Sequence, residues 1–536
     1  MKSKAGFLSL AEELQFYILS FLPYRDILHC TSVCKALRKT YTSSSELQYI
    51  VELSGQQLLP VPDSDARTPI SKRLKLLRDK THAWFKFDIH SFETIPVPEE
   101  QLSNHKIVTD GHLHSWARTR GGDGHSLATI FPILPKPSQQ TIERNWSIGA
   151  LCPLPHAVSL DVFMDPAQNL IAVLYHDDIG VLLNANETLY IDLRALDSGS
   201  AHPQAAGQAL FLSAVPGYEY PPINTSYSIR KLKGFGRHIA LLHSLLFEVD
   251  DDEFGSVHVW QLQIWDWKHS MTSSSILSDT LSLDFPNPID FCFLGDNRLL
   301  VVTDDLKLYS IDDMSQTPQL LACFLSPFPF PSVECLLPMD DIEHSSQPQM
   351  QVQQAMYTSD PKHRLLCLIA GYPDPRQVYI ISTKIFFNLD ATASTTPIPW
   401  NHWGPSNIRI FQHLYDCPIV HVSENRVLQA FTTPGTGFTE YTLHLMDFSP
   451  LAVTNRRGLG RVVKESSTID IGGFPGRSWK HLTMSLPYVE VVSDRKFRRD
   501  ELENIWIDND RIYLLKRSWR RRFTQSLNYH LEVIDI

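Results

Sequence analysis

A multidomain α plus all-β chain is what these 536 residues predict: a small three-helix unit, a helical linker, and a β-propeller of six or seven blades. Three observations carry that prediction. Residues 7–50 place apolar side chains at helical spacing, and from about residue 105 the period shortens to the alternation of strands. One short strand-ending motif then recurs at blade-like intervals. Length agrees, because a single hydrophobic core stops growing at about 250–300 residues. The expected boundaries are 6–53 for the helical unit, 54–104 for the linker and 105–536 for the β domain.

In the helical unit, Ser9 followed by Glu12 has the form of a capping box at a helix start. Leu10, Leu14, Ile18 and Leu22 recur every four residues as one apolar stripe, with Tyr17 and Phe21 beside it. Pro23 ends that helix, since the residue before a proline is pushed out of the α region. Asp26 is placed to cap a short second helix, and Val33, Leu37 and Tyr41 form a further stripe. Three short helices bury little by themselves, so the unit is expected to complete its core against something else. In the linker, residues 54–67 read as irregular. Thr68 as N-cap, Pro69 at the first helical position and Ile70, Leu74 and Leu77 on one face predict an amphipathic helix over about 69–84.

The β reading rests on runs such as LIAVLY (170–175), LLVVT (299–303), VYIIS (378–382), RVLQAF (426–431) and RIYLL (511–515). Turn residues separate them: DPAQN (165–169), GDN (295–297), SEN (423–425) and DND (508–510). The fragments LQIWD (262–266), LYSID (308–312), LHLMD (443–447) and LEVID (531–535) share one form, and TLYID (188–192) is a variant. They predict strands that close blades, with an acidic residue opening the next turn and the last copy closing the ring. The 105–135 strands are expected to help in that closure. FEVDDDEFG (247–255) reads as a loop insertion. Trp265-Asp266 matches the WD dipeptide once only, which is too little to define WD repeats.

Composition removes several function classes. The net charge of −11 argues against a general nucleic-acid binder and against a polybasic membrane anchor. No run of 18 apolar residues is present to span a bilayer, and Glu12 and Glu13 interrupt any leader-like apolar segment. Eight cysteines in 536 residues are too sparse for a disulfide scaffold, so reduced thiols in a cytoplasmic or nuclear protein are expected. Cys30 and Cys34 lack further ligands at metal-site spacing, and the His112-His114 and His176-Asp177-Asp178 groupings, which could ligate a metal, are the chance pairs expected among 22 histidines. No metal or cofactor is expected. Neither a nucleophile elbow, nor a phosphate-binding glycine loop, nor HExxH occurs, so the chain reads as a non-enzyme.

Residues 7–49, FLSLAEELQFYILSFLPYRDILHCTSVCKALRKTYTSSSELQY, resemble the F-box. Leu8, Leu14 and Ile18 in the first helix carry the match, followed by Leu22-Pro23, Asp26-Ile27-Leu28, Val33-Cys34-Lys35 and Leu37. The sequence departs from the family at Ser9, where proline is usual, and at Leu37 and Tyr49, where tryptophans are usual. The resemblance implies that these helices dock onto the small adaptor subunit of SCF-type ubiquitin ligases, and through it onto a cullin. Leu8, Leu14, Ile18, Leu22, Pro23, Asp26, Ile27, Leu28, Val33, Cys34, Lys35 and Leu37 would form the contact. The propeller would then bind a protein substrate. Two alternatives stand beside this reading. One is a non-ligase scaffold whose F-box-like helices form a structural cap on the propeller. The other is an enzyme with a propeller active site.

Residues 448–536 hold sixteen Lys and Arg against eleven Asp and Glu, a local excess of five positive charges in an acidic chain. Arg498, Arg499, Arg517, Arg520, Arg521 and Arg522 form the dense part of this cluster. Arginines suit bidentate recognition of carboxylate or phosphate, so an acidic or phosphorylated substrate is the expectation they raise. The competing reading is a hairpin turn or outer strand whose charges are merely solvated.

Overall fold

In the computed structural model, residues 6–536 are described except for 62–67, 104, 110, 118–125, 135–142, 155–156, 178–188, 213–224, 249–255, 282–288, 328–329, 331, 338–356, 372–375, 390–395, 414–417, 434, 436–438, 455–459, 471–480 and 520–526. Helices α1 (Glu12–Ser20), α2 (Tyr24–Val33), α3 (Lys35–Ser43) and α4 (Ser45–Gly55) come first, and α5 (Ile70–Lys86) follows. Leu19, Ile27, Leu37, Leu47 and Val51 make the small core of α1–α4.

The helix starts differ from the predicted caps in ways that have local causes. Ser9 donates its hydroxyl to the Gly6 carbonyl at 2.6 Å and lies in a 3-10 turn, so α1 begins three residues later with Ala11 as N-cap. Glu12 and Glu13 then sit in the first turn, where the free N–H groups favour negative charge. Asp26 likewise lies inside the first turn of α2, whose N-cap is Pro23. Pro69 is the N-cap of α5, and Thr68 contributes its carbonyl to Arg73 Nε at 3.0 Å. Proline fits these boundary positions because it has no N–H to leave unpaired.

Seven antiparallel sheets follow, each ordered around one central axis, and together they form a seven-bladed propeller. The innermost strand a of the blades is, in order, His105–Thr109, Ala157–Asp165, Thr225–Phe235, Asp290–Phe293, Val333–Leu336, Val420–Ser423 and Leu502–Ile507. Consecutive blades share apolar cores. Leu170, Ala172 and Leu174 of blade 2 meet Leu232, Ile239 and Leu241 of blade 3, for example. Blade 7 packs on blade 1 through Trp506, Tyr513 and Leu515 against Val108 and Leu113, which completes the ring.

The recurring motif marks strand c. LQIWD, LHLMD and LEVID end the third strands of blades 3, 6 and 7, and LYSID runs out of the third strand of blade 4. It therefore does not close a blade, as the sequence had suggested. In blade 7 the fourth strand is Glu93–Val97, which pairs with Leu527–Asp535 from Glu93↔Val533 to Val97↔Tyr529. A strand upstream of residue 105 thus ties the two ends of the ring, while strands within 105–132 belong to blade 1. The four predicted turns all join strand a to strand b. The variant copy at 188–192 has another register, with Asp192 inside strand c and bonded by the Tyr175 hydroxyl at 3.2 Å.

Among the described residues, a strand-a side chain accepts a hydrogen bond from the next blade's inner edge at three seams. Asp161 Oδ2 accepts from Leu232 N at 2.9 Å, Asp290 Oδ2 from Cys335 N at 2.8 Å, and His421 Nδ1 from Ile507 N at 3.3 Å. Inner-edge N–H groups have no neighbouring strand, and a buried donor left unpaired costs about 1–3 kcal/mol. These acceptors therefore join blades 2 to 3, 4 to 5, and 6 to 7. His421 is neutral in this role, because burial pushes its pKa down to about 4.

Candidate functional site: the exposed helical face and its mount

Helix α1 turns its inner side, Gln15 and Leu19, toward α2–α4. Leu14, Tyr17, Ile18 and Phe21 fall at i, i+3, i+4 and i+7, hence on one face. That face is open to solvent: the four side chains are 51, 59, 41 and 70% exposed. Tyr17 and Phe21 pack edge to face with ring centroids 4.9 Å apart. Leu8 and Val33 are exposed near the same helices. Among the described residues, these six make up six of the fifteen large apolar side chains left exposed, within 26 residues of sequence. Scattered exposed leucines need no explanation, whereas a contiguous apolar face marks a docking surface.

The structure divides the expected contact residues. Leu8, Leu14, Ile18, Pro23, Asp26, Val33 and Lys35 are exposed, while Leu22, Leu28 and Cys34 are half-buried. Ile27 and Leu37 are buried in the unit's own core, so a partner cannot reach them without unfolding it. Tyr17 and Phe21, absent from the expected set, carry more exposed apolar surface than most of its members. Their signal was their spacing from Leu14 and Ile18.

A rigid mount joins this unit to the propeller. Helix α4 gives Leu47 and Val51 to the F-box-like core, and Tyr49 and Leu53 to a second core with Leu74 and Leu77 of α5. Leu58–Pro60 pairs antiparallel with Tyr357–Ser359, a strand carried by the a–b connection of blade 5. Gln57 O accepts from Asp360 N at 2.9 Å, and Gln56 O from Asn425 Nδ2 at 3.2 Å. Lys80 pairs with Asp510 at 2.9 Å, and Arg426 lies over the Trp84 ring at 4.9 Å. Trp84, Phe87 and Ile89 enter the core shared by blades 6 and 7. Three of the four non-glycine residues with positive φ among the described residues, Gln57, Phe87 and Glu424, lie at this junction. Such backbone costs of order 1 kcal/mol each and persists only where the surroundings enforce it.

The mount occupies the propeller end formed by the a–b turns of blades 5 to 7. Strand b of blade 7 starts at Arg511, beside Asp510 of the mount, and runs to Trp519 at the opposite end. The fourth strand of the blade-6 sheet, Tyr488–Arg498, likewise ends on that far side. Arg498, Arg499 and Arg517 of the basic cluster thus lie toward the end of the propeller away from the helices. Much of the cluster's charge is already matched. Arg498 pairs with Asp500 at 2.6 Å, and Arg517 donates to the Asp500 carbonyl at 2.8 Å. Arg495 and Lys516 share the buried Glu532 carboxylate at 2.8 and 2.9 Å. Arg499 is exposed, and Arg520, Arg521 and Arg522 lie outside the described residues.

The metal readings gain no support. Among the described residues no group of three His, Cys, Asp or Glu is arranged to hold an ion. The His112 and His114 rings stand 6.4 Å apart between blades, and burial together with His112 pushes His114 down to about 3. Cys30 and Cys34 are free, half-buried thiols, and Asp178 lies outside the described residues. Among the described residues no helix is long and apolar enough to cross a membrane.

Residues 7–43 match the family model of the F-box domain. Together with the strand order, this makes the chain an F-box protein with a seven-bladed β-propeller. No curated protein matches it. Among solved structures it is similar to the WD40 domain of SCAP from fission yeast, at 9% identity over 82% of this chain and 98% of that one, with a TM-score of 0.30. The propeller assignment rests on the seven sheets themselves.

Proposed function

We propose that the chain is a substrate-recognition subunit of an SCF-type ubiquitin ligase. In this reading α1–α3 dock the small adaptor, the adaptor links to a cullin, and the propeller holds a target protein. The observation that carries the proposal is the solvent-facing apolar face of Leu14, Tyr17, Ile18 and Phe21 on an F-box fold. A helical cap serving only the propeller would turn such a face inward, so the orientation disfavours the scaffold alternative. Catalysis belongs to other subunits: an F-box joined to a propeller is an architecture of non-enzymatic adaptors. Binding of the target at the propeller end away from the mount would leave both partners unobstructed, and the Arg498–Arg499–Arg517 region stands there for an acidic or phosphorylated segment.

The test is co-elution of the full chain with a purified adaptor–cullin complex. An Ile18→Asp variant places a charge in the middle of the exposed face without touching the core. Co-elution of the wild type but not of the variant supports the proposal, and failure of the folded wild type to co-elute removes it.

A further inference from the structure

Blades 4 and 5 meet along a seam where each inner strand presents one cysteine to the other. In strand a of blade 4, Phe291 and Phe293 enter the core shared with blade 3, and the alternation turns Asp290 and Cys292 toward blade 5. In strand a of blade 5, Val333 and Cys335 point back into that same seam. Asp290 reaches Cys335 N at 2.8 Å, so the two strand edges are in direct contact beside the thiols. Cys292 is among the groups that hold the Cys335 thiol in its protonated form, after burial itself. Both are free and buried.

We propose that Cys292 and Cys335 are a latent inter-blade disulfide, formed by a small oxidant of the peroxide class, that clasps blade 4 to blade 5. In the reaction both S–H bonds break and one S–S bond forms. Hydrogen peroxide takes the two electrons and two protons and leaves as two waters. A disulfide needs its two Cα atoms within about 7 Å, a demand that favours side chains turned toward one another from strands in contact. Burial opposes the thiolate needed for the first attack, and with the neighbouring thiol it holds Cys335 well above the ordinary range; the Lys233 ammonium acts the other way. Oxidation of this pair is therefore slower than of a half-exposed thiol such as Cys30.

The clasp joins positions far apart in sequence, so it restricts the unfolded chain and raises the thermal midpoint of the propeller. Blade 5 also carries the strand that pairs with Leu58–Pro60 of the mount, so the cross-link fixes the blade that brackets the F-box linker.

The experiment treats the full chain with hydrogen peroxide under native conditions. It then blocks the remaining thiols in denaturant and maps disulfide peptides by mass spectrometry. The expected product is a Cys292–Cys335 peptide two mass units lighter than the reduced pair, absent from a Cys335→Ser variant. The oxidised wild type should melt a few degrees higher than the reduced form, with no such difference in the variant. Recovery of Cys292 and Cys335 as blocked thiols after Cys30 has fully reacted would overturn the proposal. A mapped disulfide with no rise in midpoint would overturn the clasp. The wild-type map stands whether or not the variant folds.

Discussion

Replacing Asp290 by alanine should destabilise the propeller more than most single changes, because this carboxylate serves three blades. Lys233 Nζ lies 2.8 Å from Oδ1 and Lys231 Nζ 3.4 Å from Oδ2, both from blade 3. Oδ2 also accepts from Cys335 N of blade 5. Burial by itself would raise the Asp290 pKa, but the two lysines hold it below the usual carboxylate range. Such a group stabilises the fold above its unfolded pKa of 3.8, and that contribution is lost only as pH falls through the lower folded value. At neutral pH it is fully present. Breaking a buried ion pair costs about 3–5 kcal/mol, and an orphaned buried N–H a further 1–3. The lysine side chains are 18 and 30% exposed, so water relieves part of the stranded charge. The loss for Asp290→Ala is therefore about 4–5 kcal/mol. Asp290→Asn keeps an acceptor for Cys335 N and should lose about 1–2 kcal/mol less. Denaturant unfolding at pH 7, followed by tryptophan fluorescence, reads the shift. An Asp290→Ala protein within about 1 kcal/mol of wild type would refute the reasoning, since no other acceptor would then be needed at this seam.

Two further predictions concern the whole ring and the mount. His114 and His243 are pushed down to about 3, and His238, His413 and His421 to about 4, in each case chiefly by burial. A base with a depressed folded pKa stabilises the protein above its unfolded value of 6.5, and that stability is lost as pH falls below it. At pH 5.5 each of the five should cost about 1.4 kcal/mol, so the thermal midpoint should fall steeply between pH 6.5 and 5. A flat midpoint across that window would contradict the burial of these rings. At the mount, a Cβ on Gly55 would lie 2.9 Å from Leu451 Cβ, in the short helix Pro450–Thr454. Gly55→Leu should lift α4 from the propeller and speed limited proteolysis between residues 54 and 68 while leaving the α1 face intact. Unchanged cleavage would mean that α4 does not rest there.

The parts of the fold that the sequence displays are those fixed by short-range patterns. Strand b is central in its blade and buried on both faces, so LIAVLY, LLVVT and RIYLL read as unbroken apolar runs. The a–b turns need tight backbone, hence DPAQN, where Asn169 adopts a left-handed φ of 56°. Orientation was less legible. Helix α1 is apolar around much of its circumference, and only packing against α2–α4 decides that Leu19 turns inward while Leu14 and Ile18 turn out. The mount was not legible, because its bonds join residues such as Gln56 and Asn425, 369 positions apart. Ring closure escaped for the same reason: Glu93–Val97 is a strand only because Leu527–Asp535 lies beside it.

The most direct measurement is calorimetric titration of the full chain with purified adaptor, comparing wild type with a Leu14→Ala, Ile18→Ala, Phe21→Ala variant. Fully burying such side chains contributes about 1.5–3 kcal/mol each, and roughly half or more of each is still exposed in the free chain. Truncating all three should cost about 3–4 kcal/mol, or roughly 10²–10³-fold in Kd, with no loss of thermal stability because none lies in the core. Equal affinity for the two proteins, or no binding by either, would contradict the account of this chain as an adaptor-docked receptor.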